Sequence, residues 1–236
     1  MRVPDASGAV LAVCGLAVEA RLAGQAGVRT VVGGGRSEAL AMAIEREVAA
    51  GVVAIISFGV AGALDPSLQP GALVIATGIV GPVRTWPVDA AWVRAIRTRL
   101  PHSSTAPIAG SDVIVTDPAA KRLLQVRSGA WAVDMESEIA ARIAAQHRLP
   151  FAALRAIADP VARSLPPAAT IAMRADGTVD LPAVLLAIAR QPSQLPQLLR
   201  IGRDAQRALR SLGDGRRALG RGLGYLDLDQ LLVDVV

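Results

Sequence analysis

The 236-residue chain has one cysteine, two histidines, two phenylalanines, one tyrosine and, at Lys121, a single lysine. The lone Cys14 closes no internal disulfide, and with two histidines it does not complete a zinc site, so no metal is expected. Aromatic residues make up 3% of the chain, too few for a base-stacking surface, and no nucleic-acid partner is expected. Disorder is excluded as well, because 52% of the residues are hydrophobic and the net charge is only +5. Uninterrupted apolar runs are also missing. The uncharged stretches 48–64 and 66–83 are separated by Asp65 and broken by Gly51, Gly59 and Gly62 in the first and by Pro66, Pro70 and Pro82 in the second. They read as short buried strands rather than spanning helices. Residues 1–5 carry Asp5 and precede only a short apolar run, unlike a secretory leader. A cytoplasmic protein is expected, with peripheral association at a membrane surface.

What is present is a regular alternation of strands and helices. Strands are expected at 10–14, 28–32, 52–57, 72–77, 130–133 and 151–158, with short extended pieces at 107–110 and 113–115. Helices are expected at 18–23, 37–50, 90–100, 118–127 and 137–147. In the second of these Leu40, Ile44 and Val48 recur every four residues. Asp117 followed by Pro118 predicts an N-cap with proline in the first turn. The segment 59–62 reads as a turn, and a Pro-rich loop at 165–168 precedes a helical remainder. The pattern implies one three-layer α/β domain with a mixed, mostly parallel sheet. It is expected over 1–212, including an amphipathic helix at 194–212, and is followed by a tail at 213–236. In that helix Leu195, Leu198, Ala205, Leu209 and Leu212 face one way, and Arg200, Arg203, Arg207 and Arg210 the other.

Ligands of such sheets sit at the carboxyl ends of the strands. Reading those ends yields Glu19, the run Gly33-Gly34-Gly35-Arg36, the turn from Gly59 to Gly62, the triplet Asp134-Met135-Glu136 and Asp159. Spaced carboxylates of this kind suit acid–base chemistry on a polar, uncharged substrate. Their gaps are too irregular for a metal.

Gly59-Val60-Ala61-Gly62-Ala63-Leu64 and the downstream Gly71-Ala72-Leu73-Val74-Ile75 resemble the nucleoside phosphorylase/nucleosidase superfamily. So do Ala132-Val133-Asp134-Met135-Glu136-Ser137 and Arg155-Ala156-Ile157-Ala158-Asp159. The chain is most similar there to the methylthioadenosine/S-adenosylhomocysteine nucleosidases and to the hopanoid-biosynthesis-associated phosphorylases, which act on adenosylhopane. The resemblance implies that Glu19 activates the attacking water and that Asp159 protonates purine N7. It implies that Glu136 binds the ribose hydroxyls and that Met135 packs against the sugar, with Asp134 also among the substrate-binding residues. Val60, Ala61 and Gly62 would line the substrate site, and Val113, Ile114 and Val115 the base pocket. Ile114 stands where the family has Phe. The implied substrate is a nucleoside with an apolar 5′ group, and a homodimer is expected.

Phosphorylases of this superfamily hold phosphate at positions that fall here on Glu19, Ser57 and Val60. A glutamate repels phosphate and a valine offers no donor, which favours water. No cofactor is expected. Phosphate remains open as a co-substrate, with Gly35 and Arg36 as its candidate anion site.

Overall fold

The computed structural model describes residues 8–166, 177–178, 191 and 194–225. Its strands are β1 (Val10–Cys14), β2 (Val28–Val32), β3 (Ala54–Ala63), β4 (Leu73–Val80), β5 (Thr85–Trp86), β6 (Ser104–Gly110), β7 (Ala132–Asp134) and β8 (Phe151–Asp159). The helices are α1 (Ala17–Ala23), α2 (Ser37–Ala49), α3 (Ala90–Arg99), α4 (Pro118–Ser128), α5 (Ser137–Gln146) and α6 (Leu195–Leu219). The expected α/β architecture is present. β1 runs parallel to β2 and β3, β3 to β8, and β4 and β7 to β6. The β3–β7, β4–β5 and β4–β8 pairs are antiparallel. Because β3 reaches both β8 and β7, the pairs β3–β8–β4–β6–β7–β3 close a ring in the middle of the sheet.

Period-two alternation sends the side chains of β1 to two cores. Leu11 and Val13 join Leu40 and Ile44 of α2 and Ala140 and Ile143 of α5. Val10, Ala12 and Cys14 join Trp92 and Ile96 of α3 and Ala208 and Leu212 of α6. Cys14 is therefore a core residue. Asp117 caps α4 as its sequence predicts, accepting a hydrogen bond from Ala120 N at 2.9 Å.

Three expectations need correction. The segment 59–62 is not a turn but part of the second half of β3, a ten-residue strand that pairs with β8 as far as Gly62 and with β7 at Gly62 and Ala63. The β3–β8 ladder carries a bulge there, with Ala61 opposite Ile157 and Gly62 opposite Asp159, so that Ala158 is passed over. Residues 113–115 form loop rather than strand. The chain also does not leave the domain at 213. α6 runs on to Leu219, and Leu223 is buried, its carbonyl accepting from Trp92 Nε1 at 3.1 Å. The buried line of α6 is Asp204, Ala208, Leu212, Gly215 and Leu219, while Leu195 is exposed. The four arginines from Arg200 to Arg210 do face solvent. Among the described residues no helix is long and apolar enough to cross a membrane. Of the helical remainder expected between residues 168 and 190 only residues 177 and 178 are described, and they are not helical, while residues 226–236 lie outside the described residues.

Candidate active site

The ends of β1, β3, β7 and β8 meet the loop 111–117 around a pocket of about 240 Å³. Glu19, Val60, Ala61, Gly62, Val113, Ile114, Val115, Asp134, Met135, Glu136 and Asp159 all line it. Leu16 and Leu165, which the sequence did not single out, add further apolar wall.

Glu19 is the third residue of α1, where a glutamate side chain reaches back to the free amides of its own helix start. Its Oε2 accepts from Gly15 N at 2.8 Å and Leu16 N at 2.9 Å, and its Oε1 accepts from Val60 N at 2.8 Å. The carboxylate thus ties the start of α1 to β3. Burial pushes its pKa up, against the pull of Arg155 and these three amides.

Arg155 lies in the apolar strand β8 and is wholly buried. Its Nε lies 2.8 Å from Asp134 Oδ2, and its Nη2 lies 2.6 Å from Ser57 Oγ and 3.4 Å from Glu136 Oε2. A buried guanidinium survives in such a strand only with partners of this kind. The sequence analysis missed its role, although an arginine inside an apolar strand was the signal. Ser57 belongs to this network, and Arg155 and Ser137 take up its hydroxyl.

Asp134 lines the pocket, but its carboxylate is committed elsewhere. Oδ1 accepts from Glu136 N and Ser137 N at the start of α5, and Oδ2 accepts from Ser137 Oγ at 2.5 Å. It holds Arg155 and the start of α5 in place. Glu136 shares Arg155 and is 7% exposed. A Cβ on Gly15 would stand 2.7 Å from Glu136 Oε1, and one on Gly59 2.6 Å from both Arg155 Nη1 and Glu19 Oε2. A side chain at either position would have to push these charged groups out of their present places.

The glycine turn keeps one uncommitted amide, that of Gly35, which donates to no group among the described residues. Gly33 N, Gly34 N and Arg36 N already donate to the carbonyls of Cys14, Gly15 and Gly33. Gly35 and Arg36 line a separate shallow hollow beside Met135 and Glu136, outside the main pocket. Asp159, at the far side of that pocket, is held by Lys121, whose Nζ lies 2.5 Å from its Oδ2.

Burial raises the pKa of Glu136 from 4.5 to about 7, with Asp134 and Glu19 adding to the rise and Arg155 opposing it. Glu19 and Asp159 shift the same way, again chiefly through burial. A folded pKa above the unfolded one makes folding favour the protonated carboxyl. The contribution of Glu136 to stability is therefore full below pH 4.5 and is lost as pH rises through about 7. The melting temperature of the unliganded protein should fall over that window, and Glu136→Gln should flatten the fall. Parallel curves for the two proteins would remove Glu136 from the pH response.

The fold matches solved structures at low identity. The native futalosine hydrolase of Helicobacter pylori superposes with a TM-score of 0.65 at 13% identity, over 90% of this chain and 97% of that one. A 5′-methylthioadenosine/S-adenosylhomocysteine nucleosidase of the same organism gives 0.65 at 15%, over 93% and 99%. The corresponding nucleosidase of Colwellia psychrerythraea, solved with adenine, gives 0.61 at 15%, over 90% and 96%. No curated protein sequence matches the chain significantly. The family model described as the phosphorylase superfamily matches residues 10–190, and the chain belongs to that superfamily.

Proposed function

We propose that the protein cleaves the N-glycosidic bond of a 5′-substituted adenosine, releasing adenine, with water as the nucleophile. The observation that carries this reading is the convergence of Glu19, Glu136 and Asp159 on one largely apolar pocket. Heterolysis of the bond leaves a cationic sugar and an electron-rich purine. Glu136 is suited to accept from the ribose hydroxyls and to stabilise that cation. Asp159 is suited to protonate N7, so that adenine leaves neutral. Glu19, made more basic by burial, is suited to take a proton from the attacking water.

Electrostatics favours water over phosphate. A phosphate near Glu19 would meet three buried carboxylates, Glu19, Asp134 and Glu136, balanced by one guanidinium, that of Arg155. A dianion is poorly accommodated by such a balance. The fold is shared with nucleosidases that act on methylthioadenosine and S-adenosylhomocysteine, which makes these the smaller candidate substrates. Beside residues 113–115, expected around the base, Leu16, Val60 and Leu165 give the pocket further aliphatic wall, each of them partly exposed. A long apolar 5′ group would cover such surface, and adenosylhopane is the substrate we favour. A nucleoside-binding module without catalysis is the reading of another class, and three carboxylates on one pocket argue against it.

Adenine release from methylthioadenosine and from adenosylhopane, each with and without phosphate, tests the reading. Adenine and free sugar are expected in phosphate-free buffer, with adenosylhopane the better substrate. Adenine only with phosphate, and sugar 1-phosphate as co-product, would mean phosphorolysis. Binding without release under either condition would leave a sensor.

A further inference from the structure

Lys121 is the one lysine among 25 basic residues, and its side chain is wholly buried. An ammonium has three protons to donate, and here each has a partner. They go to Asp159 Oδ2 at 2.5 Å, Pro160 O at 3.1 Å and Arg163 O at 3.0 Å. With all three donors used, the head group has no freedom to turn, and neither does the carboxylate it grips. Asp159 Oδ1 is buried and accepts no hydrogen bond among the described residues. The loop after Asp159 is also anchored from the other side, where Arg163 lies 2.6 Å from Asp204 of α6.

We propose that Lys121 is the positioning residue of the general acid: its ammonium holds the Asp159 carboxyl through Oδ2 and stabilises the carboxylate left behind once the proton has passed to purine N7. This rests on the function proposed above. In the step, the electron pair of the C1′–N9 bond passes to the purine, and the carboxyl proton of Asp159 passes to N7. Neutral adenine departs, and the new carboxylate faces the Lys121 ammonium until solvent returns a proton. Burial raises the Asp159 pKa, and the hydrogen bond and charge of Lys121 pull it back. Without Lys121 the buried carboxyl would keep its proton too firmly to be a good acid.

Lys121→Met, assayed on two leaving groups, tests this. Adenine leaving from methylthioadenosine needs a proton, whereas nitrophenolate leaving from p-nitrophenyl riboside does not. The variant should lose on the order of 10²-fold in kcat on methylthioadenosine and remain near wild type on the nitrophenyl riboside. Its high-pH limb on methylthioadenosine should move upward, since the unpaired carboxyl stays protonated longer. Equal losses on both substrates with an unmoved limb would make Lys121 a loop anchor and overturn the proposal. The double variant Asp159→Asn/Lys121→Met removes both charges together and so avoids leaving one buried alone. It should match Asp159→Asn on both substrates, and a further loss on methylthioadenosine would show that Lys121 acts other than through Asp159. A wild-type protein that cleaves neither substrate would overturn the parent reading and this one with it. A wild type that cleaves both, beside an unchanged Lys121→Met, would overturn this one alone.

Discussion

Arg155→Met is expected to destabilise the protein by about 3–5 kcal/mol near neutral pH, the usual cost of removing one partner from a buried ion pair. The methionine would fill much of the volume, so packing is not the main loss. The loss is electrostatic. Asp134 and Glu136 now have Arg155 at 2.8 and 3.4 Å, and without it they would face each other and Glu19 with no cation between them. Ser57 Oγ would also lose its 2.6 Å donor. Urea unfolding at pH 7 and at pH 5 measures both the size and the origin of the effect. At pH 5 Glu136 is protonated, because its pKa lies at about 7, so the deficit should shrink there. A variant as stable as the wild type at pH 7 would show that the cluster is not held together by this charge.

Glu19→Gln should lower the rate of adenine release by on the order of 10²–10⁴, the range for loss of a positioned general base. The amide cannot take a proton from water, and its geometry is also wrong. Glu19 accepts three backbone N–H groups through two oxygens. A glutamine has one oxygen, so if that oxygen keeps Gly15 and Leu16 its NH₂ must face the Val60 amide. A donor set against a donor in a buried site costs about 1–3 kcal/mol. The variant should therefore be slower and moderately less stable, with its activity measured well below its own unfolding transition. Near wild-type turnover there would remove Glu19 from the chemistry.

The parts of the molecule that depend on local pattern were legible in the sequence. The β1 run, the four-residue spacing of α2 and the Asp117–Pro118 start of α4 each carry their own signal, and all three form as expected. Eleven of the residues expected at the nucleoside site do line one pocket, because strand ends converge in this class of sheet whatever their order in the chain. The misreadings share a cause. Gly59 to Gly62 carry turn-type composition, but pairing with β8 and β7 draws them into the sheet. Leu195 fits the apolar side of its helix by angle, yet the line that packs is set by what α6 meets, and Asp204 is buried because Arg163 pairs with it. Lys121 lies on an ordinary-looking helix, and only the return of β8 places Asp159 beside it.

The skipped residue in the β3–β8 ladder bears on how this segment can vary. Gly62 pairs with Asp159 only because Ala158 is passed over after the Ile157–Ala61 pair. Paired residues of a ladder share a face, so loss of Ala158 would remove the bulge and leave the acid opposite Gly62, on the same face. Exchange of Ala158 for another small side chain would leave the acid where it is. The placement of Asp159 is thus set by its partner Gly62 rather than by what stands at residue 158. Residue 158 is a spacer, and the end of β8 can change there without taking the acid away from Gly62.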